Sequence, residues 1–278
     1  MRQNRLYSIL MISPACGLIG LFFIYPLISS LKIALSDAAG NWSINPLIKA
    51  WRLYDRDLAY TIIVVAVALG LIAILTVVIS GLITLSPFKR LNQCLAFLYR
   101  WPLFIPFIVV GQMMRTFLAK NGLMNNALVQ LHLLTPFETV SFLDWRGIIF
   151  TFVWKQLAFS TLLVAGAMAA IDSQQVKAAQ NIGATRMKVF TSILLPQVLP
   201  NLGVALVLSC VTMMSVLSVP LMLGTGTPSM LTTDMSFRIN SYGDYATANA
   251  LGVFSYLVTS AVAWFYLQHN LKQQRTYG

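Results

Sequence analysis

Ionisable residues punctuate this chain rarely, and between them lie long uncharged windows at 6–31, 58–88, 189–233 and 245–271. A helix rises about 1.5 Å per residue, so roughly 20 apolar residues cross the hydrocarbon core of a bilayer. Each window predicts a membrane-spanning helix. Two further windows are less clean: 95–118 carries Arg100, Pro102, Pro106 and Arg115, and 145–171 carries Arg146 and Lys155. Charge and proline are tolerated within a crossing where the helix faces protein or water, which predicts these two in the bundle interior. The longest window holds Pro196, Pro200, Pro220 and the run Gly224-Thr-Gly-Thr-Pro228, all helix breakers. One helix over 198–219, followed by a loop or re-entrant piece, fits between them. The pattern predicts an all-α, polytopic membrane helix bundle of about six crossings, forming a single transmembrane domain over 1–278.

Composition agrees and narrows the class. Of 278 residues, 58% are hydrophobic and 10% charged, and mean hydropathy is +0.74. A soluble domain carries about 25% charge, so soluble globules, disordered chains and collagen are excluded. A net charge of +11 suggests nucleic acid in a soluble protein. In a lipid-embedded one it reflects basic residues kept at the cytoplasmic face. The proposed cytoplasmic pieces hold Arg2, Arg5, Lys89, Arg90, Arg100, Lys177, Arg186, Lys188, Lys272 and Arg275, with Asp172 the single acid. Ten basic residues against nine elsewhere is a narrow margin. The expected placement is the bacterial inner membrane, multi-pass, with both termini cytoplasmic. The first window is too long for the apolar core of a signal peptide. Cys16, Cys94 and Cys210 are far apart and read as buried free thiols, not as zinc or redox ligands. Trp42, Trp51, Tyr54, Trp264 and Tyr266 suit either interfacial anchoring or ordinary helix packing.

The segment that carries chemistry is 172–196, Asp-Ser-Gln-Gln-Val-Lys-Ala-Ala-Gln-Asn-Ile-Gly-Ala-Thr-Arg-Met-Lys-Val-Phe-Thr-Ser-Ile-Leu-Leu-Pro. Asp172 with Gln175 three residues on resembles a capping box, and Gly183 supplies a left-handed stop, so a short helix is predicted over 173–182. Thr185 then caps a second helix presenting Met187, Phe190 and Leu194 on one side. A helical hairpin outside the bilayer follows, with Ala178, Ala179 and Ile182 as a small surface for close packing. It serves either as a docking element or as a connector packed on the bundle's own end.

Lys177-Ala-Ala-x-x-Ile-Gly-Ala184, followed by Phe190 and Leu195-Pro196, closely resembles the EAA loop of binding-protein-dependent ABC importer permeases. Phe23-Ile-Tyr-Pro26, Pro102-x-x-x-Pro106, Gly122-Leu-Met-Asn125 and the stretch 154–171 extend the resemblance over most of the chain. It implies a type I (MetI-like) permease fold in which the loop is the coupling helix docking on an ATPase subunit. The matching positions are Lys177, Ala178, Ala179, Ile182, Gly183, Ala184, Phe190 and Pro196. The implied partners are an ABC ATPase dimer, which holds the ATP and Mg, a second permease subunit, and an extracytoplasmic solute-binding protein. The chain itself is expected to bind no cofactor, metal or nucleic acid. Lys177 stands where relatives place Glu, and Ile182 where Asp is frequent. The lysine cannot make the pair that Glu makes, which predicts a partner permease different from this chain. The aliphatic before Gly183, with Val219-Pro-Leu-Met-Leu-Gly224, Pro228-Ser-Met-Leu231 and Gly243-Asp-Tyr245, resembles the branch serving polyamines, ferric iron and phosphonates.

Other functions find less support. There is no phosphate loop for ATP, His132 and His269 lie apart, and Ser209, Ser215 and Ser218 fit helix packing better than nucleophilic attack. The alternative is a secondary transporter or channel without an ATPase, but such proteins carry intramembrane acids, whereas the eight acids here fall in loops or at span ends. Lys155, about ten residues inside its window, has two readings. It snorkels or pairs with a neighbouring subunit, or, with Gln156, it faces the translocation pathway and attracts an anionic solute. Arg115 reads as an interface anchor.

Overall fold

The computed structural model describes residues 2–37, 40–224 and 226–277; the side chains of Arg2, Arg5, Lys89, Lys272 and Arg275, which entered the charge count, and Thr225 of the breaker run lie outside the described ones. The elements are α1 (Arg2–Ile19), a π turn (Gly20–Ile24), α2 (Tyr25–Ala34), α3 (Asn45–Leu85), α4 (Lys89–Arg100), a 3-10 turn (Trp101–Phe104), α5 (Phe107–Leu118) and α6 (Leu123–Gln130). After a second 3-10 turn (Pro136–Glu138) come α7 (Trp145–Ala169), α8 (Ser173–Asn181), α9 (Arg186–Val189), a π turn (Phe190–Leu194), α10 (Leu195–Ser215), α11 (Ser218–Leu223), α12 (Leu231–Tyr242) and α13 (Tyr245–Tyr277). Among the described residues there is no strand, only an isolated bridge between Ser36 and Trp42.

Among the described residues, five helical stretches are long and apolar enough to cross a membrane: Met11–Ala34, Asn45–Leu85, Trp145–Ala169, Arg186–Ser215 and Tyr245–Gln268. The sixth expected crossing is not one helix. Arg90–Phe104 and Phe107–Gln130 meet at a bend of 110°. Pro102 and Pro106 explain the break, because neither has an N–H for the helical ladder and Ile105 between them is extended.

Prolines elsewhere do the opposite of what the sequence pattern predicts. The helix expected over 198–219 begins earlier, at α9, and ends at Ser215. Pro196 and Pro200 lie inside the helical path. Leu195 N–H donates to Phe190 O, five residues back, so the turn before Pro196 widens to a π turn that absorbs the missing donor. The same device precedes Pro26, where Tyr25 N–H donates to Gly20 O. Pro220, expected as a breaker, sits within the short helix α11.

The chain divides into two compact units, Met1–Arg56 with Asp234–Leu257, and Asp57–Thr233 with Val258–Gly278. In the first, the fully buried positions are largely alanines, Ala34, Ala50 and Ala250, which permit close helix approach. Ser30 Oγ donates to Asn249 Oδ1 at 2.5 Å, and Trp51 packs edge-on against Phe254 at 6.1 Å. Asp244 is the polar hub. It accepts from Lys49 at 2.6 Å and from Thr247 Oγ1 at 2.8 Å, and Arg238 lies 3.5 Å away, donating in turn to the Tyr54 hydroxyl at 2.6 Å. Burial pushes the Asp244 carboxyl up, but hydrogen bonds from Lys49 and Thr247 outweigh it and hold the carboxyl below its ordinary range. Its stabilising contribution is therefore present above the unfolded carboxylate pKa of about 3.9 and is lost as pH falls through the lower folded value. Asp244→Asn is expected to remove roughly 1 kcal/mol of stability at pH 7, since Lys49 is half exposed. The difference should vanish in thermal melts near pH 2; a variant equally stable at pH 7 contradicts the assignment.

The second unit holds two cores. One gathers Val64, Ala68 and Ile72 of α3, Val110 and Met114 of α5, Ile148 and Phe152 of α7, Met213 of α10 and Leu223 of α11. Gly111 lets α5 and α11 approach, since a Cβ there would lie 3.2 Å from Ser218 O. The other gathers Val164 and Met168 of α7, Val198 and Leu202 of α10, and the buried residues of the 172–196 hairpin. Gln156 Nε2 donates to Ser209 O and Ser160 shares a hydrogen bond with Ser209, each at 3.4 Å, joining α7 to α10. Ser209 is thus a packing hydroxyl. At the start of α7, Asp144 accepts from Arg146 N–H at 2.8 Å and from its guanidinium at 2.6 Å. These bonds hold the Asp144 carboxyl below its ordinary range.

Several smaller expectations are corrected. All three cysteines are free, but only Cys210 is buried; Cys16 and Cys94 are exposed. Tyr266 packs, with its hydroxyl donating to Pro200 O at 2.7 Å against Gly203, which has no side chain to obstruct the ring. Trp42 and Trp264 are exposed, as an interfacial residue is.

Candidate functional site

The hairpin forms as its local sequence dictates. Asp172 caps α8 by accepting from Gln174 N–H at 2.9 Å. Gln175 does not close the expected capping box; its side-chain oxygen accepts from Gln197 Nε2 at 3.0 Å, tying α8 to α10. At the far end Gly183, with φ of +84°, closes a Schellman turn: Ala184 N–H donates to Ala179 O at 3.0 Å and Gly183 N–H to Gln180 O at 2.9 Å. Thr185 Oγ1 accepts from Lys188 N–H at 3.3 Å to cap α9.

The eight loop residues singled out in the sequence sort onto two faces. Ala179 and Phe190 are buried and Ala184 half-buried, all packed on the bundle beneath. Phe190 fills a slot opened by Gly81 of α3, where a Cβ would lie 2.8 Å from the ring. Lys177, Ala178, Gly183 and Pro196 are exposed, and Ile182 is 87% exposed. Met187, expected on one side of a helix with Phe190 and Leu194, is exposed while those two are buried, because α9 is a single turn and a π turn begins at Phe190. The outward face thus combines an apolar pair, Ile182 and Met187, with Lys177, Arg186 and Lys188. Arg186 additionally donates to Leu85 O at 3.4 Å, bridging the hairpin to the end of α3. Of the two sequence readings of this segment, the connector is seen on the buried face, while the other face is exposed.

Lys155 and Gln156 are buried on α7. Lys155 has a role in this chain that neither sequence reading names. Its ammonium donates to Pro102 O at 2.5 Å, Ile105 O at 2.6 Å and Leu103 O at 3.2 Å, carbonyls at the broken crossing. A lysine deep in a span costs about 2.5–3.5 kcal/mol on insertion scales, and three carbonyl acceptors offset that. The sequence showed both Lys155 and the Pro-x-x-x-Pro motif but nothing that joined them. Asn125 likewise has no role legible in the sequence; its amide donates to Ala119, Lys120 and Val140 carbonyls at 2.9–3.1 Å, fixing the loop after α5.

A crossing broken at Pro102 and Pro106, a helical hairpin between two membrane helices, and a left-handed glycine at its tip are features that a family comparison can test. Residues 77–272 match the family described as binding-protein-dependent transport system inner membrane component. The chain belongs to that family. It is a permease subunit of a binding-protein-dependent ABC importer, and this replaces the alternative of an ATPase-independent transporter. The permease is 23% identical to the sulfoquinovosyl glycerol transport system permease protein SmoG of Agrobacterium fabrum, over 95% of this chain and 90% of that one. It is 31% identical to the trehalose/maltose transport system permease protein MalF of Thermococcus litoralis over 46% of this chain and 48% of that one. Its fold resembles a chain of the crystal structure of a bacterial alginate ABC transporter in complex with an alginate pentasaccharide-bound periplasmic protein, with TM-score 0.80, 21% identity, and coverage of 95% and 93%. These relatives are named for glycosides and polysaccharides. The resemblance to the polyamine, ferric iron and phosphonate branch is not supported by them.

Proposed function

We propose that this permease moves a saccharide or glycoside, delivered by an extracytoplasmic binding protein, across the bacterial inner membrane, with the 172–196 hairpin docking on an ABC ATPase that binds ATP and Mg. The observation that carries the docking is the division of the hairpin: Ala179 and Phe190 tie it to the bundle while Ile182 is 87% exposed. Small residues and a left-handed glycine let such a tip enter a groove closely, and a rigid anchor lets closure of the ATPase move the helices. Both termini and the hairpin are assigned to the cytoplasm by the basic flanks. Lys177 in place of the usual Glu favours a second, different permease chain carrying that acid, because a lysine facing a basic groove residue is unfavourable where solvent is excluded. The solute class rests on the relatives' names. Lys155 offers an anionic solute its charge but no free donor, since its three donors are spent on carbonyls.

Reconstitution of the complex with its binding protein and ATPase tests this reading. ATP-dependent uptake of a radiolabelled di- or oligosaccharide is expected, with spermidine and a phosphonate not accumulated. Saturable spermidine uptake overturns the solute class. A transport-competent complex with two identical copies of this permease overturns the asymmetric pairing.

A further inference from the structure

We propose that the carbonyls of Pro102, Leu103 and Ile105 form a cation site of the kind that takes a primary ammonium, that Lys155 is its built-in occupant, and that Lys155 thereby acts as the positioning residue of the broken crossing. Pro106 has no N–H to offer Pro102 O, and the 110° bend turns the following N–H groups away from the carbonyls of Leu103 and Ile105. Three acceptors therefore converge where backbone donors are scarce: Pro102 O keeps only a long bond from Ile105 N–H, at 3.3 Å. The Lys155 ammonium has three donors, and it spends them at 2.5, 3.2 and 2.6 Å. The face of Phe107, 5.3 Å from Nζ, closes the shell as a cation–π contact. Lys155 is 8% exposed and makes no ion pair among the described residues, so the site compensates a buried charge entirely with dipoles.

The site matters beyond its own bonds because its walls are shared. Leu103, Phe107, Lys155 and Gln156 line one side of a cavity of about 390 Å³ whose other side is Leu208 and Thr212 of α10. Releasing the break moves Leu103 and Phe107, and with them the cavity wall. Geometry also makes the occupant specific. A tripod of N–H donors on one nitrogen matches converging carbonyls, whereas the planar guanidinium fork spreads its donors apart.

The test reads the bend directly, in the full complex and independently of transport. Spin labels at positions 97 and 109, both exposed, report the distance across the break on a background with Cys16, Cys94 and Cys210 replaced. The parent protein is expected to give one narrow distance, and Lys155→Met and Lys155→Arg a shifted or broadened one. Lys155→Arg separates this role from charge attraction of a solute, which it would preserve. In Lys155→Ala, n-propylammonium supplies the missing atoms and should restore the parent distance, while n-propanol and tetramethylammonium should not. Pro106→Ala returns an N–H to Pro102 O and should lessen the defect of Lys155→Met, including any loss of accumulation in the membrane. Transport, which rests on the proposed function, should fall at least tenfold in maximal rate in Lys155→Met with under threefold change in KM for the loaded binding protein. Unchanged distances in Lys155→Met and Lys155→Ala, or rescue by propanol equal to that by propylammonium, overturn the proposal. A parent distance with absent saccharide transport overturns the proposed function instead.

Discussion

Gly81→Leu should abolish solute-driven ATP hydrolysis and transport while the protein still reaches the membrane. A Cβ at Gly81 would already stand 2.8 Å from the Phe190 ring, and a leucine fills the slot altogether. Phe190 is then expelled. Losing burial of a phenylalanine removes about 1.5–3 kcal/mol from the seating of the hairpin, which is a large fraction of what a short hairpin has. Leu194 and Val189, buried beside it, lose their alignment as well. The expected result is at least a tenfold fall in coupled ATP hydrolysis, with uncoupled hydrolysis by the ATPase retained. Phe190→Ala empties the same slot and should uncouple too, by leaving a cavity. The pair combined, Gly81→Leu with Phe190→Ala, should recover activity relative to either single change, since the knob and the hole have exchanged sides. Additive losses in the double variant would contradict direct packing as the anchor.

Gly183→Val is the second large effect, and its cause is different. Nothing stands within 4 Å of a Cβ built at Gly183, so the obstruction is not steric crowding by neighbours. It is the backbone: φ of +84° costs a side-chain-bearing residue about 1–2 kcal/mol, and more when branched at Cβ. Valine therefore opens the Schellman turn, and Ile182 and Ala178 leave their places at the tip. Coupled transport is expected to drop tenfold or more, with proteolysis near residue 183 faster than in the parent. Gly183→Asn, which tolerates a left-handed conformation, should keep the protease resistance of the parent and an intermediate transport rate. Equal behaviour of the valine and asparagine variants would mean that clearance for a docking partner, and not backbone conformation, is what the glycine provides.

What the sequence revealed and what it concealed divide by range. Asp172, Gly183 and Thr185 act on residues within a few positions of themselves, and their caps and left-handed turn were legible from spacing alone. The Gly81 slot for Phe190 and the carbonyls around Lys155 involve partners some 50 to 110 positions away. No local pattern marks them. Proline misled in both directions for one reason, that a helix in a membrane re-satisfies its freed groups by whatever lies near. At Pro26 and Pro196 a π turn absorbs the loss and the helix continues; at Pro102 and Pro106 Lys155 absorbs it and the crossing bends. The sequence leaves the hairpin's eight residues unsorted because it does not say which side of a short helix faces its own bundle; Ala179 and Phe190 are buried, Ile182 and Lys177 exposed. The solute branch rests in the sequence on the aliphatic before Gly183 and on short motifs at 219–224, 228–231 and 243–245, whereas the relatives reported above are named for saccharides and glycosides.

The central claim is that the exposed tip of the hairpin is the contact through which an ATPase drives this permease. Ile182→Cys, on a background with the three native cysteines replaced, carries a thiol-specific photoactivatable crosslinker to that tip in inside-out membrane vesicles. The expected result is a crosslink to an ATP-hydrolysing subunit whose yield changes between nucleotide-free and ATP-bound conditions. Labelling of residue 182 only from the opposite, extracytoplasmic side, or a crosslink confined to this chain's own bundle, would contradict it.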